Sequence, residues 1–292
     1  MATLHLIGTG TPTPTKERHG TCHILEIDGE FLMFDCGPAS THKMVKAGLW
    51  PTKIEHLFFT HHHFDHMVDY PCFLLVRWDQ SVGKEKPLKV FGPPLTRMIT
   101  DRLIGPQGAF VSDWTARVSD PCSRHVFVNR GGTLPRPAPN YQVTDIGAGL
   151  VVKTDRWSVT AGLVRHQEPW LNSLAYRVDS PRVSVVFTGD TEPCETLAKF
   201  SAGCDVLVTN TWDTQEAMDT NGEGQGQTGT LDAARMAVAA GAKMLVLTHT
   251  GPRLCGQQVR QKALADIANV FKGRVIFGEE LMAIPLPTKE QS

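Results

Sequence analysis

The chain has 292 residues, room for two units of roughly 150 residues or one large layered domain with a substantial core. Apolar residues make up 41% and charged residues 20%, an ordinary globular composition that excludes a disordered tail protein. With 29 basic against 30 acidic residues the net charge is -1, which weighs against a protein that binds nucleic acid mainly by charge.

In chain order, Leu4 to Ile7 reads as a short first strand. His23 to Asp35 predicts a hairpin, since two apolar runs flank the turn dipeptide Asp28-Gly29. Ile54 to Thr60 is the next strand, and Met67 to Trp78 places Tyr70, Phe73, Leu74 and Trp78 on one face of a helix. From about 96 to 142 periodicity weakens and Gly and Pro accumulate, notably over 131–139, so an irregular insertion is expected there, as a lid or an oligomer contact. Strands follow at Leu150 to Lys153, Ser158 to Leu163, Ser173 to Val178, Val183 to Thr188 and Val206 to Val208. The last part alternates a helix over Leu231 to Ala240, a strand over Met244 to Thr248, a helix over Gln257 to Phe271 and a strand over Arg274 to Phe277. Pro285 to Ser292 reads as a frayed tail. This alternation is that of an α/β protein, with two halves meeting near residue 150.

The seven cysteines form no C-x-x-C pair and their number is odd, so they read as mostly buried thiols of a reducing compartment. No stretch approaches the ~18 apolar residues that span a bilayer, and the expected location is the cytoplasm, without membrane contact.

The chemistry concentrates in His61-His62-His63-Phe64-Asp65-His66, directly after the strand Leu57-Phe58-Phe59-Thr60. In extended backbone His61 and His63 point the same way, and a turn then lets Asp65 and His66 present a second group of ligands. Imidazole and carboxylate are the ligands that borderline metals such as Zn²⁺ prefer. Two later strands end in the same manner, Val186-Phe187-Thr188-Gly189-Asp190 and Leu245-Val246-Leu247-Thr248-His249. Carboxyl ends of strands are where ligands collect in α/β sheets, so Asp190 and His249 are expected to meet the first motif at one edge.

The H-x-H-x-D-H motif, a further His, and an Asp and a last His after strands resemble the metallo-β-lactamase superfamily. Gly8-Thr9-Gly10-Thr11-Pro12, Phe34-Asp35-Cys36-Gly37 and Leu247-Thr248-His249 followed by Pro252-Arg253 are most similar to its ribonuclease Z and arylsulfatase-like branch. The resemblance covers residues 4 to about 284 and implies a four-layer αβ/βα sandwich, a single domain over 1–288 with two αβ halves. It implies one metal on His61, His63 and His166, a second on Asp65, His66 and His249, and Asp190 bridging both; two Zn²⁺ are expected, with Mn²⁺ or Fe²⁺ as alternatives. Asp65 and Asp190 thereby count as catalytic, and Asp35 takes a supporting position below the site. Two cations about 4 Å apart lower the pKa of a shared water towards ~7 and polarise the group under attack.

The sequence departs from that branch at Asn210-Thr211-Trp212-Asp213, where ribonuclease Z enzymes usually carry His-Glu-Ala-Thr. Asn hydrogen-bonds but cannot shuttle a proton. Gln227 likewise falls near a position often held by His. The insertion is only mildly basic, with six Arg, no Lys and three Asp, unlike an RNA-holding arm. Trp78, Phe110, Trp114, Trp170 and Trp212 are available to line an apolar pocket, and Asn210, Trp212 and Arg253 are candidate substrate contacts. The Gly8-Thr9-Gly10-Thr11 loop lacks a P-loop ending, and Cys255 has no activating neighbour in sequence.

The expectation is therefore a dinuclear zinc hydrolase in which a bridging hydroxide attacks a small ester, lactone or amide. The alternative is a tRNA 3′-processing endoribonuclease or other phosphodiesterase, with RNA the less favoured partner. A homodimer fits the resemblance. A di-iron redox protein is disfavoured because His63 is retained, and a non-catalytic binding protein because the ligand set is complete.

Overall fold

The structure, a computed structural model, describes residues 2–287. Strands β1 (Ala2–Thr9), β2 (Thr21–Ile27), β3 (Glu30–Phe34), β4 (Ile54–Phe58), β5 (Leu88–Gly92) and β6 (Tyr141–Asp145) build the first sheet in sequential order. The chain then crosses over, and β7 (Gly149–Lys153), β8 (Ser158–Leu163), β9 (Leu174–Asp179), β10 (Ser184–Phe187), β11 (Val206–Thr211), β12 (Met244–Thr250) and β13 (Arg274–Phe277) build the second. A last strand, β14 (Met282–Pro285), returns to the first sheet and pairs antiparallel with β1. Pro285 thus closes a strand, and the rest of the expected tail lies partly outside the described residues.

The facing sides of the two sheets carry one apolar layer that includes Leu4, Leu25, Phe34, Phe58, Tyr176, Phe187 and Val206, all buried. Its centre is aromatic: Phe34 stacks on Phe187 of the opposite sheet at 4.0 Å and on Phe58 at 5.2 Å. Fully burying each such ring is worth about 1.5–3 kcal/mol. The outer face of the first sheet is covered by helix Tyr70–Ser81, through Tyr70, Phe73 and Leu74. That of the second is covered by Thr230–Ala240 and Gln257–Val270, whose small Ala233, Ala234, Ala237 and Ala263 allow close approach. Helix, sheet, sheet and helix are the four layers expected.

Three local expectations need correction. The segment 96–142 is mostly helical, with Thr96–Ile104, Val111–Ser119 and Pro121–Asn129, before the irregular run leads into β6. Nine-residue helices punctuated by Gly105, Gly108 and Pro121 break the apolar period over any long window, yet the Asp120 carboxylate caps the third by accepting from Ser123 N at 2.8 Å. The helix over Met67 to Trp78 is two, Phe64–Met67 and Tyr70–Ser81, with Pro71 in the first turn of the second. Only Cys22, Cys36 and Cys204 of the seven thiols are buried, while Cys72 and Cys122 are exposed. Strands β5, β6 and β14 were not legible as such, being short and of mixed polarity.

Strand direction makes the functional edge. β4 runs parallel to β3 and β5, and β10, β11 and β12 run parallel to one another. β8 is antiparallel to β9, which is antiparallel to β10, so β8 ends at the same edge as β10. Across the sandwich, Tyr176 Oη donates to Phe59 O at 2.7 Å and Leu174 N to Thr60 O at 2.9 Å, which fixes the end of β4 against the second sheet.

Candidate metal centre

Four of the seven side chains follow strand ends, His61 and His63 after β4, His166 after β8 and Asp190 after β10, while a fifth, His249, is the penultimate residue of β12. Asp65 and His66 sit on the short helix Phe64–Met67. All except the half-buried His63 are buried. Together they form two groups, His61, His63, His166 and Asp190, and Asp65, His66 and His249, each with its ligand atoms within 4.8 Å of one another.

Hydrogen bonds from the far side of four rings decide which nitrogen faces inward. His166 Nδ1 donates to Gly226 O at 2.8 Å, which leaves Nε2 to point at the cluster. His66 Nδ1 donates to Asp35 Oδ2 at 2.8 Å, and His61 Nδ1 donates to Thr60 Oγ1 at 3.0 Å, so both present Nε2. His63 is turned the other way: Nε2 donates to Gln167 Oε1 at 3.2 Å, and Nδ1 lies 3.0 Å from His61 Nε2 and 3.2 Å from His166 Nε2. Three lone pairs thus converge on one point.

At the second point His249 Nε2 lies 3.2 Å from Asp65 Oδ2 and 3.1 Å from Asp190 Oδ2. Asp190 Oδ2 is also 3.6 Å from His66 Nε2 and 4.0 Å from His166 Nε2, placing it between the groups. His66 Nε2, Asp65 Oδ1 and Asp190 Oδ1 are buried without a hydrogen-bond partner. Buried carboxylates left in this way cost several kcal/mol unless a cation neutralises them. Orphaned atoms, preset tautomers and an all-nitrogen and oxygen donor set fit divalent metal binding.

The electrostatics agree. Burial disfavours charge on His66, but Asp190 and Asp35 outweigh it and hold this imidazole well above its usual value. A cation entering here competes with that proton. Burial would raise Asp190, yet His249 and His66 keep its carboxyl well below the usual range. Burial, reinforced by His66, pushes His61 well down, so that ring stays neutral and able to ligate.

Backbone conformation serves the same end. Asp35 and His249 adopt the left-handed region at φ 59° and 49°, uncommon for such residues. Asp35 accepts from Thr60 N, Thr60 Oγ1 and His66 Nδ1, each at 2.8 Å, and so ties β3, β4 and the ligand helix together. A Cβ at Gly37 would stand 2.0 Å from Asp65 O, so only glycine lets the two segments meet.

The other candidates are distributed differently. Asn210 is buried, donates through Nδ2 to Thr191 O and Gln227 Oε1, and lines a small cavity with His66, Asp190 and His249. Trp212 lies beside the centre, its ring 6.2 Å from that of His249. Arg253 turns away and pairs with Asp213 at 2.8 Å, in a separate cleft with Glu216 and Lys262. The five aromatic residues do not share a pocket: Trp78 is buried under Arg136, Phe110 lines a groove with Val68, and Trp170 lines a cleft with His166. His62 bonds Thr96 Oγ1 and takes no part. Of the groups that orient these rings, Thr60 closes one of the Thr-ended strands legible in the sequence, whereas Gln167, next to the expected ligand His166, and Gly226 carry no motif of their own.

A buried His/Asp cluster at the open edge of an αβ/βα sandwich defines a metal-dependent hydrolase of the metallo-β-lactamase fold. The sequence profile described as beta-lactamase superfamily domain matches residues 31–250, and the chain belongs to the metallo-β-lactamase superfamily, in its ribonuclease Z-like branch. It is 30% identical over 288 residues to a ribonuclease Z of Mycolicibacterium gilvum (strain PYR-GCK), covering 96% of this chain and 95% of that one. In structure it is similar to the metallo-beta-lactamase fold protein YhfI from Bacillus subtilis, with TM-score 0.71, 19% identity and coverage of 97% and 98%. It is also similar to human tRNase Z, short form, with TM-score 0.69, 21% identity and coverage of 98% and 99%. Among the described residues no helix is long and apolar enough to cross a membrane.

Proposed function

We propose that this hydrolase cleaves phosphodiester bonds, with RNA as the favoured substrate class. The observation that carries the reading is similarity over 96% of the chain to a protein named ribonuclease Z, together with two groups of potential ligands, the second of which comes within 3.1 Å of Asp190. This reverses the ranking expected from the sequence, which set the loss of one His at position 210 and a weakly basic insertion above the branch-level resemblance. A small change in one proton-handling residue alters rate, whereas the architecture of the whole edge decides which reaction class is accessible.

In this reading His61 Nε2, His63 Nδ1 and His166 Nε2 would hold one zinc ion and Asp65, His66 and His249 would hold the second, with Asp190 within reach of both groups. Bound cations would supply an activated water at neutral pH and an electrophile for the developing negative charge. The chain's own residues do the rest. Asp35, Thr60, Gln167 and Gly226 O hold the ring protons on the outer nitrogens and so keep the inner lone pairs aimed. Asn210, in the wall of the cavity beside Asp190, donates to Thr191 O and Gln227 Oε1 and has no proton to deliver to a leaving group.

That same Asn210 favours a second reading, hydrolysis of small esters, lactones or amides with good leaving groups. The test is metal analysis followed by incubation with precursor tRNA, bis(p-nitrophenyl) phosphate and an ester, lactone and β-lactam panel. Stoichiometric zinc, phosphodiester cleavage and its loss in Asp190→Ala and His249→Ala are the expected results. Turnover of esters with neither phosphodiester cleaved would establish the second reading instead. Manganese or iron in place of zinc would revise only the metal.

A further inference from the structure

At the opposite end of β4 from the ligands lies a cleft of about 340 Å³ that both sheets line. One wall is the first sheet, where β3, β4 and β5 begin; the other is the turn between β7 and β8 of the second. His56 in this cleft and the ligand His61 are separated by roughly 16 Å of extended chain, and the cleft shares no residue with the His/Asp cluster.

His56 is the buried member of the wall, 7% exposed. Its ring stacks on Phe58, meets Trp157 edge-on at 5.1 Å, and leaves Nε2 without a hydrogen-bond partner. A hydrocarbon ring would satisfy that packing, whereas an imidazole in its place leaves a buried polar atom unmatched. Lys89 on β5 is the register partner of His56, so the two side chains share one face of the sheet.

The charge in the cleft is one-sided. Four cations meet two carboxylates, and both carboxylates are already engaged: Lys86 pairs with Glu55 at 3.0 Å, and Arg156 with Glu30 at 2.7 Å. Glu30 also accepts from Trp157 Nε1 at 2.8 Å, and the hydroxyl of Thr154 accepts from Arg156 N at 3.2 Å, which pins the turn that carries the arginine. Lys53, whose Nζ lies 5.7 Å from the centre of the Phe31 ring, and Lys89 make no ion pair among the described residues. In a chain of net charge -1 this is a local excess of two positive charges. A phosphate group, with a charge of about -1.5 to -2 at neutral pH and several acceptor oxygens, matches it.

We propose that this cleft binds a phosphate dianion, free or as a small monoester, with Lys53 and Lys89 supplying the charge and His56 the buried polar wall. The site is independent of the metal centre and of the reaction performed there.

The test is titration of the zinc-loaded protein with inorganic phosphate at constant ionic strength, followed through the proton–nitrogen correlation signals of the histidine rings, that of His56 being identified by its absence from His56→Phe. Phosphate bound at the metal centre moves the signals of the ligand rings and leaves His56 in place, so the two sites are read separately. The His56 signal is expected to shift and saturate at millimolar phosphate, and Lys53→Gln combined with Lys89→Gln to raise that dissociation constant at least about tenfold with zinc content unchanged. Tighter binding of glycerol 3-phosphate than of inorganic phosphate identifies a monoester as the occupant, and equal or weaker binding identifies free phosphate. A His56 signal that stays in place, one that moves equally when chloride replaces phosphate at the same ionic strength, or an unchanged dissociation constant in the double variant overturns the site.

Discussion

Replacing Asp35 by Asn tests whether the support beneath the cluster, and not only its ligands, sets metal affinity. The carboxylate accepts three bonds at 2.8 Å, Thr60 N on Oδ1 and both Thr60 Oγ1 and His66 Nδ1 on Oδ2. An amide keeps one acceptor oxygen. With that oxygen toward His66, the NH₂ group faces the Thr60 N–H; with the amide reversed, it faces the His66 ring proton. Either orientation sets two donors against each other in a buried place, and hydrogen bonds to a charged acceptor are worth about 1.5–3 kcal/mol each. With the amide reversed the His66 ring loses the partner that holds Nε2 inward, and with the oxygen toward it the ring keeps only a neutral acceptor; removing such a partner typically lowers metal affinity about 10- to 100-fold. The measurement is zinc affinity by chelator competition on wild type, Asp35→Asn and the control Thr60→Ser, which retains the hydroxyl. Asp35→Asn is expected to lose at least tenfold while Thr60→Ser stays near wild type. Wild-type affinity in Asp35→Asn would refute the claim that this network orients His66.

Three further outcomes follow from other parts of the structure. Gly37→Ala forces a Cβ to within 2.0 Å of Asp65 O, so the ligand helix must shift; reduced zinc content and a lowered melting temperature are expected, read by metal analysis and thermal unfolding. With Asn210 unable to deliver a proton, kcat on aryl phosphodiesters is expected to fall steeply as leaving-group pKa rises, and Asn210→His to flatten that slope; equal slopes in the two proteins would count against it. Burial, with Lys89 nearby, pulls His56 from 6.5 to about 4, so the unfolded chain takes up this proton at higher pH than the folded one. Stability is therefore expected to fall as pH drops from 6.5 towards 4, by about 2 kcal/mol after allowance for solvent screening, and His56→Phe to remove that component in urea unfolding at a series of pH values.

Much of the candidate centre was legible because a set of potential metal ligands leaves a local mark. His61, His63, Asp65 and His66 fall within six residues, and Asp190 and His249 follow apolar runs ending in Thr, so each segment showed both its strand and its ligand. His166 carried no such mark. It follows β8, and only the antiparallel steps from β8 to β9 to β10 bring that strand's end to the shared edge. The helices of 96–142 are hard to read for another reason: Val111–Ser119 has Val111, Trp114 and Val118 at helical spacing, but nine residues between Gly108 and Pro121 are too short a window to establish a period, and none of them is buried.

The linear pattern by itself determined the alternation of strands and helices, the donor chemistry of the cluster and the superfamily, since these depend on residue type and short spacing. The tertiary structure decided what depends on distant segments meeting. It turned the His63 ring through Gln167, set Asp190 between the two ligand groups, drew Arg253 away to Asp213 and stood Trp170 beside His166. Those outcomes arise from packing two sheets face to face around Phe34, Phe58 and Phe187, a cooperative event that no window of sequence contains.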